Sequence, residues 1–425
     1  MKTLFAALGT RGDIEPFLAQ AEIFADAGHE VICLFPEQFR ETVTQLGYEF
    51  VAFDKGFLEL LESQSGKNIM GGGGNTWKQL TNYIKLAKSS LSLQHLLISQ
   101  QRDTLNNHHP DRIIFHAKCL YFYVAAMAKP YHYTLLTPIP CLTHPSKDYP
   151  HIGLGKWKPL GQTWNLKSYG VINNMRRMAM KKFVGKYYSD FPLIKISTRT
   201  LRDFELNQLQ TIYTISPSLF PRPEIWPKSA KITGYYFRNQ TKSYEPPKDL
   251  RDWLQQYPKA ILLTFGSMSN TDPLSNSKII IDLLQKHKIP TIINTSWGGL
   301  EKVDPSDESI YYVNQIPYDW ILPQLYGIIH HGGSGTTHQG AAHGCVQMIV
   351  PHIIDQYFWN RIIEQRKIGP LGTAIHNLDI HKFEKALKDF WSNPEYAENA
   401  KTLALQMKTE AKREIVLQLV INPNA

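Results

Sequence analysis

Cysteine is scarce in this chain. Cys33, Cys119, Cys141 and Cys345 are the only four in 425 residues, and no C-x-x-C pair occurs. Such scatter suggests neither a disulfide framework nor a zinc site, and it fits a reducing cytoplasm. Long hydrophobic runs are also lacking. No apolar stretch approaches the ~20 residues needed to span a bilayer. The short apolar N-terminal run leads straight into Gly9-Thr10-Arg11-Gly12-Asp13, with no cleavage-like region, which argues against a signal peptide. No internal repeat or low-complexity tract stands out. No nucleic-acid motif is visible, and the basic residues are spread along the chain, so a nucleic-acid partner is not expected.

What is present describes an ordinary globular protein: 43% hydrophobic and 20% charged residues. The length exceeds one usual core, so two domains of about 200 residues each are expected. Net charge is +9 and the sequence pI about 9.1. That balance suits anionic partners, either a nucleotide sugar or an acidic membrane surface, and it also serves plain solubility.

Apolar strands alternate with helical patterns in both halves. Lys2 to Leu8 reads as a strand, Ile14 to Ala27 as a helix ended by Gly28, and His29 to Phe35 as a second strand. Glu37 to Leu46 and Trp77 to Leu105 read as helices, Gly71 to Gly74 as a loop, and Arg112 to Phe115 as a strand. From Pro138 to Pro192 prolines, aromatics and basic residues mix without clean periodicity, with helix expected around Val171 to Tyr188. Pro217 to Pro227 cannot be regular, since each proline removes a donor and fixes the backbone. In the second half, strands are expected at Ala260 to Phe265, Thr291 to Asn294, Ile310 to Val313, Tyr326 to Ile329 and Gln347 to Val350. This is a doubly wound α/β pattern, and ligands bind such sheets at the carboxyl ends of the strands.

One stretch carries most of the chemistry. The strand ending at Ile329 runs into His330-His331-Gly332-Gly333, and a helix is expected from Ser334 to His343. Glycines let a backbone approach an anion, and a helix N-terminus offers unpaired N–H groups. A histidine there adds a donor. After the next strand come Asp355 and Gln356, an acid and an amide suited to sugar hydroxyls, which both donate and accept. The whole reads as a site for a diphosphate bearing a sugar.

HHGGSGTT followed by P-x3-DQ-x-FW resembles the donor signature of family 1 glycosyltransferases, closest to the sterol and antibiotic-aglycone branch. The resemblance implies the GT-B fold: two Rossmann-like domains facing across a cleft. The expected division is an acceptor domain over residues 1–225, a linker over 226–247, a donor domain over 248–394, and a C-terminal helix, 395–425, crossing back to the first domain. His331 aligns with the histidine that contacts the donor diphosphate. Gly333, Ser334, Gly335 and Thr336 would supply the turn and its N–H groups, with no metal or other cofactor required. Asp355 and Gln356 match the sugar-holding pair, with a helix N-cap as the alternative role of Asp355. Ser267, in an FGS-like element, and Gly12 would lie near the donor. Trp297 would flank the base, backbone near Ile316 would meet its edge, and Gln339 would replace a ribose-binding glutamate. UDP and dTDP both remain open.

The acceptor hydroxyl needs a base. GTRGD resembles the bacterial and sterol turn whose aspartate is the proposed base, so Asp13 is the candidate, with a helix N-cap as its alternative role. Direct displacement with inversion would follow. His116, Tyr121 and His144 are candidates for the acceptor wall, or ordinary polar and core residues. Aromatics and methionines over residues 118–188 suit a lipophilic acceptor such as a sterol, terpenoid, carotenoid or flavonoid. Basic residues at Arg176, Arg177, Lys181, Lys182 and Lys186 suit either a solvated face or peripheral contact with an anionic membrane. Two other readings are a non-catalytic scaffold relative and a GT-B nucleotide-sugar epimerase. The intact His331, Asp355, Gln356 and Asp13 argue against the first.

Overall fold

The computed structural model describes residues 1–56, 59, 91–159, 161–238, 244–266, 268, 272–295, 299–303, 308–410 and 412–423. Two parallel sheets dominate. The first has the order β3-β2-β1-β4-β5-β6-β7. Its strands are β1 (Lys2–Ala6), β2 (Glu30–Pro36), β3 (Glu49–Phe53), β4 (Arg112–Phe115), β5 (Tyr133–Thr137), β6 (Gln210–Tyr213) and β7 (Ala230–Ile232). The second has the order β10-β9-β8-β11-β12. It comprises β8 (Ile261–Thr264), β9 (Thr291–Asn294), β10 (Ile310–Val313), β11 (Gly327–His330) and β12 (Val346–Ile349). The central strands are continuous apolar runs because helices cover both faces of each sheet. In each sheet the strand order reverses once, between β1 and β4 and between β8 and β11. Those reversals open crevices at the carboxyl ends of the strands.

The helix after β1 spans Arg11–Asp26, three residues earlier than the pattern suggests, because Thr10 takes the N-cap position. The proline-rich region holds one long helix, Gln162–Val184, followed by a 3-10 turn over Gly185–Asp190. The C-terminal segment forms two helices, Pro394–Glu410 and Ile415–Ile421. The second places Val416, Leu417 and Val420 in the core of the first sheet, beside Phe5, Ile14 and Phe17. Burying each such side chain contributes roughly 1.5–3 kcal/mol. Arg112 and Gln210 donate to the carbonyls of Val420 and Leu419, which fixes that helix against the first sheet.

The halves also share an apolar cluster, in which Tyr213, Phe220 and Trp226 meet Phe358, Trp359 and Leu403. One imidazole bridges them. His338 Nε2 accepts the Ser216 N–H at 3.0 Å, so Nδ1 carries the proton and donates to the Ser334 carbonyl at 2.7 Å. Tyr235 stacks on this ring with centroids 4.5 Å apart. The expected glycine loop, Gly71 to Gly74, and the Trp77 end of the next expected helix lie outside the described residues.

Candidate active site

At the first crevice, β1 delivers Asp13 and β4 delivers His116 and Lys118. Asp13 is the third helical residue, not the N-cap. Its Oδ2 accepts the Thr10 N–H at 3.0 Å, the carboxylate half of a capping box. Gly9 makes room for this return. Its φ is +150°, and a Cβ there would fall 2.0 Å from Asp13 Oδ2. Lys118 Nζ donates to both carboxylate oxygens at 3.1 Å, and His116 Nε2 lies 3.5 Å from Oδ1. Burial pushes the Asp13 carboxyl up, but Lys118, His116 and the Thr10 N–H together hold it below its ordinary value. Asp13 is therefore ionised at neutral pH. Burial lowers His116 to about 4, so its ring is neutral. His116, a candidate for the acceptor wall, lies 103 positions from Asp13 in the chain; adjacent parallel strands bring the two together. Lys118 was not anticipated at all. A single lysine beyond a strand carries no periodic signal.

At the second crevice, β11 ends in two histidines with different work. His330 is fully buried. Its Nδ1 accepts the Gly332 N–H at 3.1 Å, and its Nε2 donates to Gln347 Oε1 at 2.9 Å. Gln347 then donates to the Thr337 carbonyl at 3.1 Å. This chain fastens the turn to the helix. His331 is freer: its buried Nδ1 has no hydrogen-bond partner among the described residues. Its ring fills the space over two glycines. A Cβ on Gly266 would lie 3.1 Å from Cε1, and one on Gly333 would lie 2.4 Å from Nε2. Burial lowers His331 to about 4 and His330 to about 3, so both rings are neutral.

Gly333 caps the Ser334–Ala342 helix, and Gly335 and Thr336 lie half-buried in its first turn. A Cβ on Gly335 would come 3.1 Å from the Tyr235 hydroxyl. Ser334 presents only its backbone to this site, because its hydroxyl donates to the Pro138 carbonyl at 2.8 Å. One turn on, Gln339 Oε1 is buried with no partner among the described residues. An unsatisfied acceptor there is costly unless a ligand supplies the donor.

Asp355 and Gln356 open the Ile354–Gln365 helix, with Ile353 at the N-cap. Asp355 is thus the second helical residue rather than its cap. Burial raises its carboxyl to about 7; the Asp13 carboxylate pushes it further up and Lys118 pulls it down. The two crevices adjoin because the Ser334–Ala342 helix packs on the Arg11–Asp26 helix. Gln356 departs from expectation. Its Oε1 accepts the N–H groups of His352 and Ile353 at 2.7 and 3.0 Å, and its Nε2 meets Met268 Sδ at 3.3 Å. The amide secures its own turn instead of facing the cleft.

Gly12 is exposed on the first turn after β1, with only Thr10 Oγ1, at 4.0 Å, near a would-be Cβ. Ile316 is buried in a core cluster with Leu262 and Ile321. Ser267 and Trp297 lie outside the described residues. Two acceptor-wall candidates are core residues. Tyr121 is buried and donates to Asp190 at 2.9 Å. His144 is fully buried, with Nδ1 2.8 Å from the Tyr213 hydroxyl and its ring against Trp226. Of the three, only His116 reaches the site.

Residues 3–106 match the glycosyltransferase family 28 N-terminal domain, and 287–422 match the erythromycin biosynthesis protein CIII-like C-terminal domain. A sterol 3-beta-glucosyltransferase of Arabidopsis thaliana is 29% identical over 96% of this chain. Another, from Pichia angusta, is 24% identical over 98% of it. The chain spans 63% and 33% of the length of these two relatives. The structure of a glycosyltransferase of kitacinnamycin superposes with a TM-score of 0.71 at 15% identity, covering 99% of this chain and 98% of that one. The calicheamicin glycosyltransferase CalG4 gives 0.70 at 15% identity, over 100% and 99%. VinC, solved in complex with dTDP, gives 0.65 at 13% identity, over 99% of both chains. These likenesses show the GT-B fold.

Proposed function

We propose that this chain, which belongs to the family 1 GT-B glycosyltransferases, moves a sugar from a nucleoside diphosphate to a hydroxyl of a lipophilic, sterol-type acceptor. One observation carries the reading most: the Ser334–Ala342 helix after β11 packs on the Arg11–Asp26 helix, which carries Asp13, and Ser334 Oγ donates to the Pro138 carbonyl after β5 at 2.8 Å, so the two crevices adjoin. A ligand held at the Ser334 helix would then have its sugar beside an ionised carboxylate.

In this reading His331 and the first-turn N–H groups take the diphosphate. Gln339 takes the ribose, and Asp355 a hydroxyl of the sugar, for which glucose is the first choice. The acceptor oxygen forms its bond to the anomeric carbon on the face opposite the nucleotide. The carbon–oxygen bond to the diphosphate breaks, and its electron pair leaves with the nucleotide. The acceptor proton passes to Asp13, and attack from the opposite face inverts the anomeric carbon. The charge growing on the leaving group meets neutral donors already in place. The donor is a UDP-sugar or a dTDP-sugar, and the working site is cytoplasmic.

The test is a mass-spectrometric transfer assay. The protein meets UDP-glucose or dTDP-glucose with a panel of sterols, terpenoid alcohols and flavonoids, beside Asp13→Asn. A new hexoside made by the unmutated protein alone is the expected result. Failure to bind either nucleotide would sink the reading.

A further inference from the structure

The Gln162–Val184 helix is built inside out. Its buried side carries Asn165, Asn173 and Arg177 among Tyr169, Met180 and Val184. Its outer side carries Trp164, Val171, Met175 and Met178, each between 60% and 64% exposed. Their spacing of seven, four and three residues puts all four on one stripe. That stripe lies opposite the buried face. Trp157, 60% exposed, precedes the helix. Soluble surfaces rarely present so contiguous an apolar strip without a use.

The charge around the stripe has one sign. No Asp or Glu occurs between Asp148 and Asp190, whereas Lys156, Lys158, Lys167, Lys181, Lys182 and Lys186 do. All six lysines are exposed, and none makes an ion pair among the described residues. The two arginines of the helix face inward to Glu205 and are already paired. The surface also adjoins the site. Gly155 packs so closely that a Cβ would lie 2.5 Å from the Ile354 carbonyl, one residue before Asp355. Lys156 sits over the Tyr357 ring at 5.6 Å. No helix among the described residues is long and apolar enough to cross a membrane.

We propose that the Trp157–Val184 surface rests on an anionic lipid bilayer, with Trp164, Val171, Met175 and Met178 in the interface and the lysines on the headgroups. Apolar burial and attraction to anionic lipid act together in such docking. The surface then holds the neighbourhood of Ile354 and Asp355 against the membrane, and a lipophilic acceptor enters from the lipid without crossing water. This deepens the proposed function and rests on it only for the identity of the cargo.

The experiment is sedimentation of the full chain with phosphatidylcholine vesicles, with and without phosphatidylglycerol. The variants are Trp164→Ser/Met175→Ser/Met178→Ser and Lys167→Gln/Lys181→Gln/Lys182→Gln. Binding to the anionic vesicles should fall at least about tenfold in each, with UDP binding and the melting temperature unchanged. No binding to anionic vesicles, or equal binding by all three proteins, overturns the proposal. So does a dimer in solution that only the first variant dissolves, since the stripe would then join two copies. Vesicle binding without sugar transfer to any acceptor would leave this surface standing and remove the transferase reading. Transfer without vesicle binding would do the reverse.

Discussion

At the crevice of the first sheet the working groups are an ionised carboxylate and an ammonium, with one neutral imidazole beside them. At the crevice of the second sheet the imidazoles are all neutral, and among the described residues His331 Nδ1, Gln339 Oε1 and His352 Nε2 have no hydrogen-bond partner, against His116 Nδ1 alone beside Asp13. The contrast follows from what each ligand would bring. A nucleoside diphosphate carries its own charge and needs fixed dipoles and N–H groups. An alcohol is neutral and needs a charge nearby before it will give up a proton. Asp355 sits between the two regimes, half-buried and within reach of the charges of the first.

The largest effect should come from removing the first region's charge. Asp13→Asn should lower kcat by about 10² to 10⁴ while nucleotide affinity by calorimetry stays the same. An equal loss of nucleotide binding would erase the division of labour. Next, His331→Ala should lower kcat/KM by about 10² to 10³, the usual effect of losing a donor to a leaving oxyanion. Gly333→Ala tests the same side without touching a polar group. The backbone there has an ordinary φ of −64°, so only the contact with the His331 ring opposes the new methyl. It should weaken nucleotide binding by about 1–3 kcal/mol through displacement of that ring.

Smaller effects should appear in pH profiles. Lys118 holds the Asp13 carboxyl down, so Lys118→Met lets it rise. The acid limb of kcat/KM should then move to higher pH, whereas an unmoved limb would mean that Asp13 is not the titrating base. Asp355, raised to about 7, ionises across the neutral range. The affinity of UDP-glucose relative to UDP should therefore increase as pH rises through about 7. Asp355→Asn should flatten that ratio and leave the binding of UDP itself nearly constant.

The strands were the most legible part of the sequence. Arg112–Phe115, Thr291–Asn294 and Ile310–Val313 fall where their apolar runs predict, because short buried runs between turn residues leave the chain little choice. His331 and Asp355 were legible as site residues because turn glycines and a following strand frame them. Orientation was not. Gln356 reads as a sugar-binding amide, yet two backbone N–H groups of its own turn reach it first. Tyr121 and His144 look like pocket groups by type, but Asp190 and Tyr213 satisfy them inside the core. Lys118 and His116 become neighbours of Asp13 only once β1 and β4 lie side by side.

His338 has a mechanical meaning beyond its bonds. Its two ring nitrogens hold one backbone group from each half of the molecule, Ser216 and Ser334. The Ser334 bond lies within His338's own helix and locks the ring to it, so a rotation that parts the two sheets must break the Ser216 bond, at about 1 kcal/mol, or turn about it. Turning about it makes the imidazole a pivot. The donor turn sits next to that pivot and travels least, while atoms farther along the cleft sweep the longer arc.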